Sequence, residues 1–275
     1  MPERRQRPGG ETRGRQPGAA ARGGAGSPAR GRSTVPAGDG AMVLYGRNAV
    51  CEALRGPRTV SRAWASERAA REPWLAGPGA PPLTVVADAR ELERLCGSPD
   101  HQGVCAEVAP YRYADADGLL AAPDPLIVAL DELQDPQNLG AICRTAECAG
   151  ATGVVIPERR SAEVTPAVCK ASAGAVEHLP IARVRNLADF LLAAKDANVW
   201  SYGADGAAQT AYAAPDYRGG VVLVLGAEGR GLRPRVAAAC DERIALPLRG
   251  RIGSLNVSAA AAALLYEIVR QRAAS

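Results

Sequence analysis

Val221-Val222-Leu223-Val224-Leu225-Gly226-Ala227-Glu228-Gly229-Arg230-Gly231-Leu232 contains the most strand-like run of the chain and ends in a glycine-rich turn with one carboxylate. An unbroken apolar run suits a strand covered on both faces, as in a parallel sheet flanked by helices. Glycine in the turn permits close backbone approach and positive φ. The spacing is G-x-x-G-x-G, not the G-x-G-x-x-G of dinucleotide-binding folds, and no P-loop lysine follows. The acidic ribose-binding residue of such folds is also missing from its expected place, which argues against a dinucleotide-dependent enzyme. Glu228 in so tight a turn reads as a general base, a positioning acceptor or a solvated turn residue.

Outward from this stretch the same alternation continues. Apolar strands are expected at 126–130, 153–156 and 199–202, and helices at 139–149, 187–197, 232–239 and 259–272, with 161–175 partly helical. Strands separated by helices predict an α/β domain over 124–275 with a mostly parallel sheet. Upstream, 43–54 reads as a turn leading into an amphipathic helix, 82–86 and 104–108 as strands and 89–96 as a helix. That predicts a small α/β domain over 41–109, joined by a linker at 110–123 that contains a short helix.

Residues 1–40 carry eight arginines against Glu3, Glu11 and Asp39 and almost no large apolar residue. Such an arm cannot bury enough surface to offset chain entropy, so disorder is expected, and an Arg-Gly segment can hold RNA phosphates. The chain as a whole is +4, so its remainder is close to neutral, and any affinity for nucleic acid there must come from local patches. Aromatics are only 4% of the residues, so the core must be built from Ala, Val and Leu. Seven Cys without a C-x-x-C pair, and only two His, make a metal site improbable. Without an apolar run of about 18 residues, a cytoplasmic protein with no membrane span is expected.

Two further segments carry polar clusters. Asp131-Glu132-Leu133-Gln134-Asp135-Pro136-Gln137-Asn138-Leu139-Gly140 joins a strand to a helix, and Arg144 follows on that helix. Pro136 keeps Asp135 extended, and Asn138 is a competent helix cap. The carboxyl end of a strand is where open α/β sheets place ligands. In Ser254-Leu255-Asn256-Val257-Ser258, three polar residues alternate with two apolar ones ahead of an Ala-rich helix. Capping accounts for one of the three.

In their order and spacing the three segments resemble the motifs of the SpoU branch of the SPOUT methyltransferases: N-x-G-x-x-x-R at Asn138–Arg144, G-x-E-x-x-G at Gly226–Gly231, and S-L-N-V-S at Ser254–Ser258. Tyr45-Gly46-Arg47-Asn48-Ala49-Val50 and His101-Gln102-Gly103-Val104 are similar to the small domain of RlmB-type 23S rRNA guanosine 2′-O-methyltransferases, an L30e-like RNA-binding fold. The resemblance implies a trefoil-knotted catalytic domain, a homodimer and S-adenosylmethionine as cofactor. It implies Gly226, Leu246 and Leu255 in the adenosyl pocket and Arg144 at the ribose hydroxyl. Asn138 and Glu228 would support that arginine and the loop, while Ser254 and Asn256 would shape the cofactor and ribose pocket. A tRNA methyltransferase, a resistance-type rRNA methyltransferase and a non-enzymatic ribosome-assembly factor are the alternatives.

Overall fold

The computed structural model describes residues 40–77, 79–227 and 229–274. The expectations for the arginine-rich arm up to Asp39 and for Glu228 fall outside them. The first part of the chain forms β1 (Met42–Tyr45), α1 (Arg47–Arg55), β2 (Val60–Ser66), β3 (Leu83–Val86), α2 (Ala89–Cys96) and β4 (Val104–Val108). These strands make one sheet in the order β1-β4-β2-β3, with β4 antiparallel to both neighbours and β2 parallel to β3. Trp64, Val86, Leu92 and Cys105 form a small cluster under α2. The opposite face contributes Leu44, Val50, Ala63 and Ala106 to a core that continues into the rest of the chain through Val168, Cys169 and Val176.

Next come α3 (Ala116–Leu120), β5 (Leu126–Asp131), α4 (Pro136–Cys148), β6 (Gly153–Pro157), α5 (Pro166–Ala171), β7 (Ile181–Val184), α6 (Leu187–Asp196), β8 (Trp200–Ala204), β9 (Thr210–Ala211), β10 (Val221–Gly226), α7 (Pro234–Ala239), β11 (Glu242–Ala245) and α8 (Val257–Ala273). The seven strands pair in the order β7-β6-β5-β10-β8-β11-β9, and every pairing is parallel. Side chains alternate across a strand. Leu126, Val128, Leu130, Val221, Leu223 and Leu225 face one apolar cluster, and Ile127, Ala129, Val222 and Val224 face the other. This is the two-sided burial expected of an apolar run in a parallel sheet. Within the stretch expected to be a linker, α3 buries Leu119 and Leu120 in the second cluster, and Ala114 forms a bridge to Ala182 of β7.

The chain extends the sheet from β5 through β6 to β7 on one side and places β10, β8 and β11 on the other. The carboxyl ends of β5 and β10 thus stand side by side at the switch in strand order, where ligands of open α/β sheets bind. Met42–Tyr45, expected as a turn, is a strand, and β2, β7, β9 and β11 lie where no strand was expected. Helix α4 starts earlier than expected. Its cap is Asp135, whose carboxylate accepts from the amides of Gln137 (3.0 Å) and Asn138 (3.3 Å), so Asn138 lies inside the helix and does not cap it. Pro136 explains the shift, since proline is favoured at the first helical position and the cap must precede it.

Candidate active site

The site is assembled from loops at the carboxyl edge of the large sheet. Gly226 ends β10 in register with Asp131 of β5. The chain then folds back on itself: the amide of Gly231 donates to the carbonyl of Ala227 at 2.9 Å. A Cβ on Gly226 would stand 2.2 Å from the carbonyl carbon of Gly231, so only glycine fits there. Gly229 and Gly231 have φ of +74° and +65°, the left-handed conformation that glycine adopts without steric cost.

Asn256 caps α8. Its Oδ1 accepts from the amides of Ser258 (2.9 Å) and Ala259 (3.3 Å), and its Nδ2 donates to Oδ1 of Asn138 at 3.0 Å. The cap of one helix is therefore bonded to a buried side chain of another, and residues 118 positions apart in the first and third motifs meet. Gly140 permits a second close approach, because a Cβ there would lie 2.4 Å from Cβ of Ala171 in α5. We expect Asn256→Ala to destabilise the fold by about 2 kcal/mol, roughly half from the cap and half from the bond to Asn138. Asn256→Ser, which retains a capping hydroxyl, should lose about half as much. Urea unfolding of both variants checks this; full stability of Asn256→Ser would show that the bond between the asparagines contributes nothing, and equal losses in the two variants would show the same of the cap.

A cleft of about 270 Å³ lies between the loops after β8, β10 and β11 and the start of α8. Gly226, Leu246, Ser254 and Leu255 line it, together with Asp205 and Ile244. Arg144 does not line it; it sits on an exposed face of α4 with no ion pair or hydrogen bond among the described residues. Tyr111 and Tyr113 pack edge to face on each other, with centroids 5.2 Å apart, and their hydroxyls are engaged with Leu179 and Val164, so they are structural. Among the described residues no group of His, Cys, Asp or Glu is placed to hold a metal ion, and no helix is long and apolar enough to cross a membrane.

One pair at the rim had no role in the sequence-based expectation. The fully buried carboxylate of Asp131 accepts from the backbone amide of Arg233 (2.8 Å) and from its Nε (2.7 Å), and Nη1 of Arg233 reaches Glu132 at 3.1 Å. The hydrogen bond to Asp131 holds the Arg233 guanidinium above its ordinary pKa, against the opposing effect of burial. The bonds tie the exit of the Gly226–Gly231 turn to the end of β5. A carboxylate closing an otherwise apolar strand is the feature of the sequence that could have pointed to it.

Comparison with known proteins supports the same assignment. The family model described as the SpoU rRNA Methylase family matches residues 125–266, and one described as RNA 2'-O ribose methyltransferase substrate binding matches residues 43–114. The chain is 40% identical over 239 residues to the putative TrmH family tRNA/rRNA methyltransferase YacO of Bacillus subtilis, covering 83% of this chain and 95% of that protein. The crystal structure of the SpoU methyltransferase AviRb from Streptomyces viridochromogenes in complex with AdoMet superposes with a TM-score of 0.73 at 26% identity, over 86% of this chain and 92% of that one. The crystal structure of an RNA 2'-O ribose methyltransferase gives a TM-score of 0.71 at 27% identity, over 85% of this chain and 90% of that one. The chain belongs to the SpoU/TrmH family of S-adenosylmethionine-dependent RNA methyltransferases.

Proposed function

We propose that this protein methylates a ribose 2′-hydroxyl of RNA, with a guanosine of 23S rRNA as its target, and that it works in the cytoplasm as a homodimer. The observation that carries the proposal is the meeting of the three motif segments: Gly226, Ser254 and Leu255 line one cleft, and Asn256 of the third segment is bonded to Asn138 of the first. The cleft suits an adenosyl group, since Ile244, Leu246 and Leu255 offer apolar surface and the Gly226 turn offers bare backbone. When bound, S-adenosylmethionine supplies an activated methyl group. The residues of the chain then have to place the hydroxyl in line, exclude water and receive the proton.

In this reading Gly226, Leu246 and Leu255 hold the cofactor and Ser254 shapes the ribose pocket. Asn138 and Asn256 keep α4 fixed to α8, which sets the position of Arg144 on the same helix. A guanidinium is nearly always protonated, so Arg144 is unsuited to be the base. It serves instead as a clamp on the target phosphate and stabilises charge that develops on the ribose oxygen. Glu228 or a phosphate oxygen accepts the proton. Only RNA offers the 2′-hydroxyl. Leu248, Ile252, Leu255 and Tyr266 are exposed apolar residues on the motif-3 loop and α8, which favours a second copy of the chain over this face. The insertion of β10 between β5 and β8, followed by the return of the chain after β11 to α8 packed on α4, is compatible with a knotted path. The match of residues 43–114 to a substrate-binding model supports an RNA-binding role for the small sheet.

Purified protein incubated with labelled S-adenosylmethionine and separate pools of rRNA and tRNA tests the proposal. The expected result is label in 23S rRNA, with resistance to alkaline cleavage at the modified ribose. Arg144→Ala should lower kcat by about 100-fold or more with little change in cofactor affinity. Label in tRNA would replace the substrate; no transfer and no cofactor binding would overturn the enzyme reading.

A further inference from the structure

Ala227 borders two clefts. On one side is the 270 Å³ cleft assigned above to the cofactor, and on the other a second cleft of about 360 Å³ lined by Glu132, Leu133, Gln134, Asp135, Ala227 and Arg230. We propose that this second cleft receives the nucleotide whose ribose is methylated, with Arg230 as a second phosphate contact on that strand in addition to Arg144. The proposal rests on the methyl-transfer reading and adds the place where the RNA enters.

Geometry supports it first. Both clefts open at the carboxyl ends of β5 and β10, and ligands seated in them would meet at the turn that separates them. Charge is the second argument. Glu132 and Asp135 bring two carboxylates to the second cleft, but both are already engaged. Asp135 accepts from the amides of Gln137 and Asn138, and Glu132 faces Arg233 at 3.1 Å and Arg160 at 3.5 Å. Arg160, Arg233 and Arg235 each have a carboxylate partner, whereas exposed Arg230 has no ion pair or hydrogen bond among the described residues. An exposed guanidinium beside Glu132 and Asp135, both engaged elsewhere among the described residues, suits a phosphate, to which it can donate two parallel hydrogen bonds. Gln134, exposed and without a hydrogen bond among the described residues, offers a donor and an acceptor to a base edge.

The wall of this cleft is also held rigid. Glu132 and Arg160, neither of them glycine, have φ of 56° and 58°, a conformation that persists only where the surroundings enforce it. They are fixed by the ion pairs named above and by the amide of Ala162, which donates to the carbonyl of Leu133 at 2.7 Å. A preformed polar wall beside an apolar cofactor cleft is what in-line placement of a ribose requires.

The test compares wild type, Arg230→Ala, Arg230→Lys and, as a control outside the cleft, Arg235→Ala. Unmodified 23S rRNA transcribed in vitro is the probe. Four quantities are measured: the KM for that RNA, the Kd for S-adenosylmethionine, filter retention of the transcript with S-adenosylhomocysteine present, and the salt dependence of retention. Arg230→Ala should raise KM and weaken retention about tenfold and make the salt slope shallower by about one, with cofactor Kd unchanged. Arg230→Lys, which keeps the charge but not the paired donors, should restore the salt slope and only part of the KM and retention, and Arg235→Ala should match wild type. If wild type transfers methyl but Arg230→Ala leaves KM and salt slope unaltered, the subsite is wrong and the activity stands. If wild type transfers none, the activity reading fails, and equal retention by wild type and Arg230→Ala removes the subsite with it.

Discussion

Gly226→Ala should lose binding of S-adenosylmethionine by about 100-fold or more while the chain still folds. The added methyl would lie 2.2 Å from the carbonyl carbon of Gly231, 2.4 Å from its oxygen and 2.5 Å from the amide nitrogen of Leu232. All three are backbone atoms, so no side chain can rotate away, and the returning limb of the turn must move outward. Overpacking of this kind costs about 1–3 kcal/mol even where side chains can yield; the free turn relieves it by moving outward and the cofactor must push it back, so the upper end of that range appears as roughly 100-fold in affinity. The outward shift would displace the wall of the cleft itself, since Gly229 and Gly231 also line it. Gly229→Ala provides the contrast. Among the described residues nothing lies within 4 Å of its Cβ position, so the left-handed φ of +74° is what opposes the substitution. That costs about 1–2 kcal/mol of stability, shared by the free and the bound protein, so affinity should fall by far less than in Gly226→Ala. Calorimetric titration of cofactor into each variant, with thermal melts to establish folding, checks the ranking. Affinity of Gly226→Ala within about threefold of wild type would mean that the turn does not form the cofactor wall.

The three glycines of this turn show what a sequence can and cannot disclose. Their spacing argued against a dinucleotide fold, and the family resemblance grouped Gly226, Leu246 and Leu255, which line one cleft. The reason for Gly226 was hidden, because it lies in how the turn doubles back. The apolar runs that became β5 and β10 were legible because both faces of those strands are buried. Strands β7 (Ile181–Val184) and β11 (Glu242–Ala245) carry an arginine each and are only four residues long, so their pattern is too brief to distinguish from a loop. The cap of α4 was legible in principle. Asp135 and Asn138 are both good caps, and Pro136 between them decides in favour of the first. The Asp131–Arg233 pair spans 102 residues and depends on β5 and β10 being neighbours, which no local pattern encodes. The ion pair at the seam between the two sheets was equally hidden, because each of its residues looks like an ordinary surface charge.

That seam carries the second large expected effect: Glu177→Ala should destabilise the protein by about 3–5 kcal/mol. Arg58 lies in the loop between α1 and β2, and Glu177 in a short helical turn after α5. Their side chains are only 7% and 2% exposed, and the guanidinium donates through Nε to Oε2 of Glu177 at 3.0 Å, with a second contact from Nη2 to Oε1. The same guanidinium lies 5.6 Å from the ring centre of Tyr111 and reaches the Cys169 sulfur at 3.7 Å. Burial disfavours the charge on Arg58, but the hydrogen bond and attraction to Glu177 outweigh it and raise its pKa. Removing Glu177 therefore leaves an arginine that remains charged in a site made for a pair. The neighbouring contact of His178 with Glu52, at 2.9 Å, is more exposed and cannot compensate. A loss of this size should lower Tm by on the order of 10 °C. Replacing both partners, Arg58→Met with Glu177→Leu, should return most of the stability, because a buried ion pair contributes little beyond an apolar pair of similar volume. Urea unfolding of the single and double variants decides the matter. A single-variant loss below about 1 kcal/mol would show that water reaches the pair, and the apolar cluster running from Leu44 to Val176 would then hold the two sheets together by itself.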